Sequence, residues 1–209
     1  MINHNHQFIF IHINKCGGTT ITKSLYTEPG EFSFSGHDDA LTYKLNYPNE
    51  FNSYFKFTSI RNPWDKVVSF YHYHVKRKWD LKWDWDVTNA PTFTEFVRIT
   101  SSYTKQKQEL IFQGDPSPCT YHKRITSNQL DWITDENEKI MVDYIMRLEN
   151  LQEDLDIVCD KIGIPKQKLP HKNKSEHKHY TEYYDEETKQ IVAEIYAKDI
   201  EYFGYEFGE

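Results

Sequence analysis

The sequence predicts an α/β protein, a three-layer sandwich around a central and mostly parallel sheet. Three observations carry this reading. A continuous apolar run from Phe8 to Ile13 passes through a glycine turn into a helix. A second run, 55–60, ends at Arg61 and enters a helix at Asn62-Pro63. A third β-like stretch, 139–148, leads to Glu149 and a further helix. Strands that alternate with helices stack in parallel, with helices on the sheet faces.

Each element has a local cause. Phe8-Ile9-Phe10-Ile11-His12-Ile13 is the unbroken apolar pattern of a strand buried on both faces. Gly17 and Gly18 turn the chain, and Ile21 and Leu25 mark a helix that stops near Pro29-Gly30. After the second strand, Asn62 can cap and Pro63 suits the first helical position. Val67, Val68, Tyr71 and Val75 then recur at helical spacing. Phe93 to Ile99 reads as a short helix, and 113–128, with Gly114, Pro116 and Pro118, as loop. Asn150 to Ile162 is a helix with Leu151, Leu155, Val158 and Cys159 on its apolar face. Asn150 and Glu153 resemble a capping box, and Gly163 ends the helix. Residues 164–181 form a polar loop, and one amphipathic helix runs from Asp185 to about Tyr202.

Composition narrows the function. The chain has 209 residues, enough for one domain with a real core. A single domain over 1–209 is expected, with an acceptor-side insertion or lid at about 76–135. Aromatic residues make up 16%, too many for a disordered chain. A net charge of −7 argues against general coating of nucleic acid, while leaving room for a local basic pocket. No 18-residue apolar stretch exists to span a membrane, and no basic-then-apolar leader opens the chain. Three widely spaced cysteines, Cys16, Cys119 and Cys159, fit a reducing compartment, so a cytoplasmic setting is expected.

The first turn carries the strongest chemical signal. In Lys15-Cys16-Gly17-Gly18-Thr19-Thr20, the glycines let the backbone approach a ligand closely. The amides of the following helix start would converge on an anion, aided by the helix dipole. Lys15 adds a charge, and Thr19 and Thr20 add hydroxyls. An ordinary glycine turn beside a surface lysine is the competing reading. The segment is not a Walker A loop, because Lys15 precedes the glycines. The second strand ends in Arg61 where a magnesium-binding aspartate would be needed, so phosphate binding without a metal is expected. Arg61, with Ser69 about two helical turns further on, could hold a second phosphate. The alternative is an arginine paired with a carboxylate and a serine on a helix surface. Two phosphate sites on adjacent strand-to-helix turns imply a ligand with two separated phosphates.

These segments resemble a known family. Ile11 through Thr20 is similar to the 5′-phosphosulfate loop of sulfotransferases, and Phe57 through Tyr71 to their 3′-phosphate motif. The resemblance is nearest to the carbohydrate type that includes heparan 2-O-sulfotransferases and bacterial relatives. Arg147-Leu148-Glu149-Asn150-Leu151, Leu169 through Ser175 and Asp199 through Tyr205 add to it, whereas 76–135 match least. Asn14 stands where the family carries proline. The resemblance implies a P-loop-NTPase-like sulfotransferase fold and 3′-phosphoadenosine 5′-phosphosulfate as donor, with adenosine 3′,5′-bisphosphate as product. It implies that Lys15, Cys16, Gly17, Gly18, Thr19 and Thr20 hold the 5′ end, and that Arg61 and Ser69 hold the 3′-phosphate. Asn173, Lys174 and Ser175 would contact the nucleotide from the loop 171–180, for which a solvated polar loop is the competing reading.

Transfer of a sulfuryl group needs a base for the acceptor hydroxyl, in-line positioning and stabilisation of the leaving phosphate. Lys15 and the loop amides can serve the last two. His37 is the expected base: the unperturbed pKa of an imidazole suits the task, and the resemblance implies a histidine in this role some two dozen residues before the arginine motif, where His37 precedes Arg61 by 24. Asp38 or Asp39 could orient its ring, although a solvated acid pair is the simpler reading. His12, inside the first strand, is the rival and reads better as a packed residue. Trp79, Trp83 and Trp85 could stack on sugars and Lys76, Arg77 and Lys78 could receive an anionic polymer, or the segment could pack on the domain or another subunit. The spacing of His171, His177 and His179 fits no standard zinc site. The expected function is transfer of a sulfuryl group to a hydroxyl, on a glycan or polysaccharide, in a bacterial or phage cytoplasm. A magnesium-dependent, kinase-like phosphotransferase and a catalytically silent nucleotide- or glycan-binding protein are the rivals.

Overall fold

The computed structural model describes residues 1–25, 32–33, 37–77, 90, 92–112, 127–169 and 178–209. They fall into two compact units, Met1–Arg61 with Gln129–Ser175, and Asn62–Asn128 with Glu176–Glu209. The strands are β1 (Ile2–Asn3), β2 (Phe8–Ile11), β3 (Phe32–Ser33), β4 (Phe55–Ile60) and β5 (Tyr144–Arg147). The helices are α1 (Gly18–Leu25), α2 (Ala40–Asn46), α3 (Pro48–Ser53), α4 (Pro63–Arg77), α5 (Phe93–Phe112), α6 (Leu151–Ile162), α7 (Glu186–Ile195) and α8 (Ala197–Phe203).

The first unit holds the sheet, in the order β3-β1-β2-β4-β5. The α/β reading is correct, and the sheet is mixed. β2, β4 and β5 run parallel, with Phe10 opposite Phe57 and Ser59 opposite Met146. β1 is antiparallel to both its neighbours. β1 and β3 have two residues each, too few for any alternation to be visible in sequence. β2 stops at Ile11, earlier than expected, although Ile13 is still buried.

Strand alternation sorts the core. Phe8, Phe10, Phe57 and Met146 pack with Ile21 and Leu25 of α1 and with Leu155, Val158, Cys159 and Ile162 of α6. Ile9, Ile11 and Ile60 of the same strands are also fully buried, so the central strands hide both faces. Between β3 and β4, α2 is capped by Asp39, whose carboxylate accepts the Thr42 N–H at 2.8 Å, and α3 begins at Pro48.

Two local expectations for α6 have different outcomes. Gly163, at φ +70°, ends the helix as expected. The expected capping box is absent: a 3₁₀ turn, Leu148–Asn150, leads into α6 and Asn150 makes no side-chain cap. The anchor is Asp154, whose carboxylate accepts from the Arg147 N–H at 2.6 Å and the Tyr144 hydroxyl at 2.8 Å. An acid one turn into the helix thereby ties it to the end of β5.

The second unit is helical. Asn62 accepts the Trp64 N–H at 3.1 Å and so does cap α4. α5 extends well past the expected Ile99, because Lys105 through Leu110 are good helix formers without an apolar period to reveal them. Arg98 and Glu187 join α5 to α7 at 2.9 and 2.6 Å. The pair is exposed and adds little stability. The C-terminal helix expected as one piece breaks at Tyr196, φ −109° and ψ 27°. Asn128 holds both sides of the break, donating to the Ile195 carbonyl at 3.4 Å and accepting the Asp199 N–H at 3.1 Å.

Candidate active site

β2 and β4 are parallel neighbours, so the chain leaves both at the same edge of the sheet, into the glycine loop from one and Arg61 from the other. Ligands of open α/β sheets bind at such carboxyl ends. Lys15 and Gly17 have φ of +66° and +77°, which reverses the chain over three residues. The two glycines are required for different reasons. A Cβ on Gly17 would have an unfavourable φ and would lie 2.6 Å from Leu148 Cδ1. A Cβ on Gly18 would lie 1.9 Å from His12 Nε2.

The Gly17 carbonyl accepts the Thr20 and Ile21 N–H groups at 2.9 and 3.1 Å. The Thr20 amide is therefore committed within the turn, and its offering to a ligand is the hydroxyl. The Gly18 and Thr19 amides are first-turn donors for which α1 has no acceptor, at its positive end.

Carbonyls of the loop and of the end of β2 are held from β4 and from Arg61 just beyond it. Ser59 Oγ donates to the Cys16 carbonyl at 2.5 Å, and Arg61 Nη1 to the Lys15 carbonyl at 3.0 Å. Thr58 Oγ1 donates to the Ile11 carbonyl at 2.8 Å. In a trans peptide the N–H points opposite to the C=O, so the Cys16 and Gly17 amides are turned away from these donors. The Cys16 side chain is buried, its thiol donating to Gln129 Oε1 at 3.0 Å, so only its backbone can serve a ligand. Asn14 is buried, and its Nδ2 has no partner among the described residues. An unpaired buried donor beside the turn fits a site that receives a polar ligand.

His37 reaches this loop through His12. Its Nδ1 lies 2.9 Å from the His12 carbonyl and must carry the proton it donates, which puts the lone pair of the neutral ring on Nε2. The rings of His37 and His12 are 4.3 Å apart. A backbone carbonyl holds the Nδ1 side of the ring, while Asp39 is engaged in capping α2. His12 is the packed residue expected, just beyond the end of β2. It stacks on Phe10 at 5.6 Å and lies against Gly18. Burial, followed by the neighbouring His37, lowers it from 6.5 to about 3, so it is neutral.

Ser69 lies on α4 in the second unit and is half-buried. Asn173, Lys174 and Ser175 lie outside the described residues, as do Trp79, Trp83, Trp85, His171 and His177. Among the described residues no cluster of three or more His, Cys, Asp or Glu could hold a metal. Among them, no helix is long and apolar enough to cross a membrane. Sequence reasoning missed Ser59 and Gln129. Ser59 had a weak signal, a small hydroxyl in a strand otherwise set for burial, whereas Gln129 had none.

An uncharacterized protein of Archaeoglobus fulgidus is 32% identical over 117 residues, 56% of this chain and 74% of that protein. A crystal structure of a sulfotransferase from Alicyclobacillus acidocaldarius shares 13% identity and a TM-score of 0.48 over 96% of each chain. The model of the sulfotransferase family matches residues 1–206, nearly the whole length, and the chain therefore belongs to that family.

Proposed function

We propose that this sulfotransferase moves a sulfuryl group from 3′-phosphoadenosine 5′-phosphosulfate to a hydroxyl, on a carbohydrate acceptor. The observation that carries the donor assignment is the hydrogen bond from the Arg61 guanidinium to the carbonyl of Lys15. It brings the arginine fork and the glycine loop together at neighbouring strand ends, as a ligand with a phosphate at each end requires. Lys15 and the amides of Cys16, Gly17, Gly18 and Thr19 hold the 5′ end, with the hydroxyls of Thr19 and Thr20. Arg61 and Ser69 hold the 3′-phosphate, and Asn173, Lys174 and Ser175 contact the nucleotide. The acceptor class rests on the carbohydrate-type motifs of the sequence.

The donor supplies an activated sulfur whose bond to the bridging phosphate oxygen breaks as a bond to the acceptor oxygen forms. His37 Nε2 takes the acceptor's proton. Its Nδ1–H bond to the His12 carbonyl keeps the ring in the tautomer that can do so. Lys15 and the loop amides stabilise the charge that grows on the leaving phosphate. The products are a sulfate ester, adenosine 3′,5′-bisphosphate and a proton.

Titration calorimetry with adenosine 3′,5′-bisphosphate and with ATP plus magnesium tests this reading. The bisphosphate should bind without metal, and Arg61→Ala should weaken it strongly. Tighter, magnesium-dependent ATP binding would favour a phosphotransferase, and an unaltered bisphosphate affinity in Arg61→Ala would remove Arg61 from the site.

A further inference from the structure

Gln129 is fully buried, and its side-chain amide bonds to two distant parts of the chain. Its Oε1 accepts the Arg61 N–H at 2.9 Å, and its Nε2 donates to the Arg61 carbonyl at 2.9 Å. The same Oε1 accepts the Cys16 thiol at 3.0 Å. The β4–β5 ladder ends at the pair Ile60 and Arg147. Just past it, the Gln129 amide gives Arg61 the two-way backbone pairing that another strand would provide. Gln129 is itself anchored at the start of the 3₁₀ turn Leu130–Trp132, its carbonyl accepting the Trp132 N–H at 3.1 Å.

We infer that Gln129 is a positioning residue for the donor site: it sets the separation between Arg61 and the glycine loop. The inference rests on the donor reading above. A nucleotide with a phosphate at each end presents two anions at a nearly fixed distance, so both ends are gripped together only if the protein holds the matching spacing. A residue just beyond the end of a ladder is where backbone would otherwise fray. A primary amide accepts from the Arg61 N–H and donates to its carbonyl at once, from two atoms spaced like the groups of a peptide. A carboxylate lacks the donor, and a thioether of similar length lacks both functions.

The test compares ligands with one and two phosphates. Gln129→Met should weaken adenosine 3′,5′-bisphosphate by about tenfold or more, because Arg61 loses the backbone pairing that holds it in place for the phosphate. Adenosine 5′-monophosphate, which engages only the loop, should be weakened clearly less, because Gln129 pairs the Arg61 backbone from both sides and meets the loop only through the Cys16 thiol. In an Arg61→Ala background, Gln129→Met should have little further effect on the bisphosphate. Gln129→Glu, which keeps the acceptor and loses the donor, should show the same selective loss and serves if the Met variant fails to fold. Equal weakening of both nucleotides, or full additivity with Arg61→Ala, would reduce Gln129 to a core residue and overturn the inference. If the parent protein bound the two nucleotides equally, the donor reading itself would fall. A parent that prefers the bisphosphate, with variants that keep that preference, would remove the Gln129 inference alone.

Discussion

Gly18→Ala should destabilise the protein for one identifiable reason, the ring of His12. The added methyl would lie 1.9 Å from Nε2 and 2.0 Å from Cδ2. Carbon contacts settle at about 3.5–4.0 Å, so the ring must retreat by roughly 1.5 Å or more. It has Phe10 stacked at 5.6 Å and His37 at 4.3 Å, and its retreat disturbs both. Overpacking of this kind costs about 1–3 kcal/mol. At this chain length each kcal/mol lowers Tm by about 2–4 °C. Backbone strain does not enter, because Gly18 is not among the glycines with positive φ. In a His12→Ala background the clash is gone and helix propensity favours alanine by up to about 1 kcal/mol, so the same substitution should become neutral or stabilising. Urea denaturation of the four proteins in the cycle measures the reversal, expected to exceed about 1 kcal/mol of coupling. A neutral Gly18→Ala in the parent, or an equal cost in both backgrounds, would refute the packing argument.

Three other outcomes are expected. His37→Ala should lower turnover by about 10²–10⁴-fold while keeping bisphosphate affinity; a variant with full turnover would exclude His37 as base. Arg61→Lys should weaken the bisphosphate by about tenfold, because an ammonium cannot reproduce the fork that holds both the Lys15 carbonyl and a phosphate, and calorimetry would show it. His12 is held at about 3 in the folded protein against an ordinary 6.5, so the unfolded chain takes up its proton first as pH falls. Its contribution to stability is complete above 6.5 and is lost towards 3, by up to about 1.4 kcal/mol per pH unit. His12→Gln should flatten the pH dependence of urea denaturation in that window, and an unchanged slope would contradict the assignment.

Much of the local structure could be read in the chain because its logic is local. The glycine turn, the cap at Asn62 and the left-handed Gly163 each depend on residues a few positions apart. The first strand and Arg61 followed from an apolar run and its abrupt end. What escaped has partners far along the chain. Asn128 bridges the break between α7 and α8 from about seventy residues away, a separation no short-range pattern reports. The box at Asn150 and Glu153 was a sound local pattern that lost to tertiary context, with Asp154 drawn to the end of β5. α5 outran its apolar signal on propensity alone.

By itself, the order of residues determined where the backbone turns, which helices start and stop, and that basic and hydroxyl groups follow two strands. Those are consequences of φ preferences, caps and apolar periodicity, all set within a turn or two. Only the tertiary structure decided why Gly18 has no side chain, which group orients His37, and which amide holds Arg61 against the loop. Each is a contact between segments that meet only when the sheet forms. Close packing and the pairing of buried polar groups then select the partners.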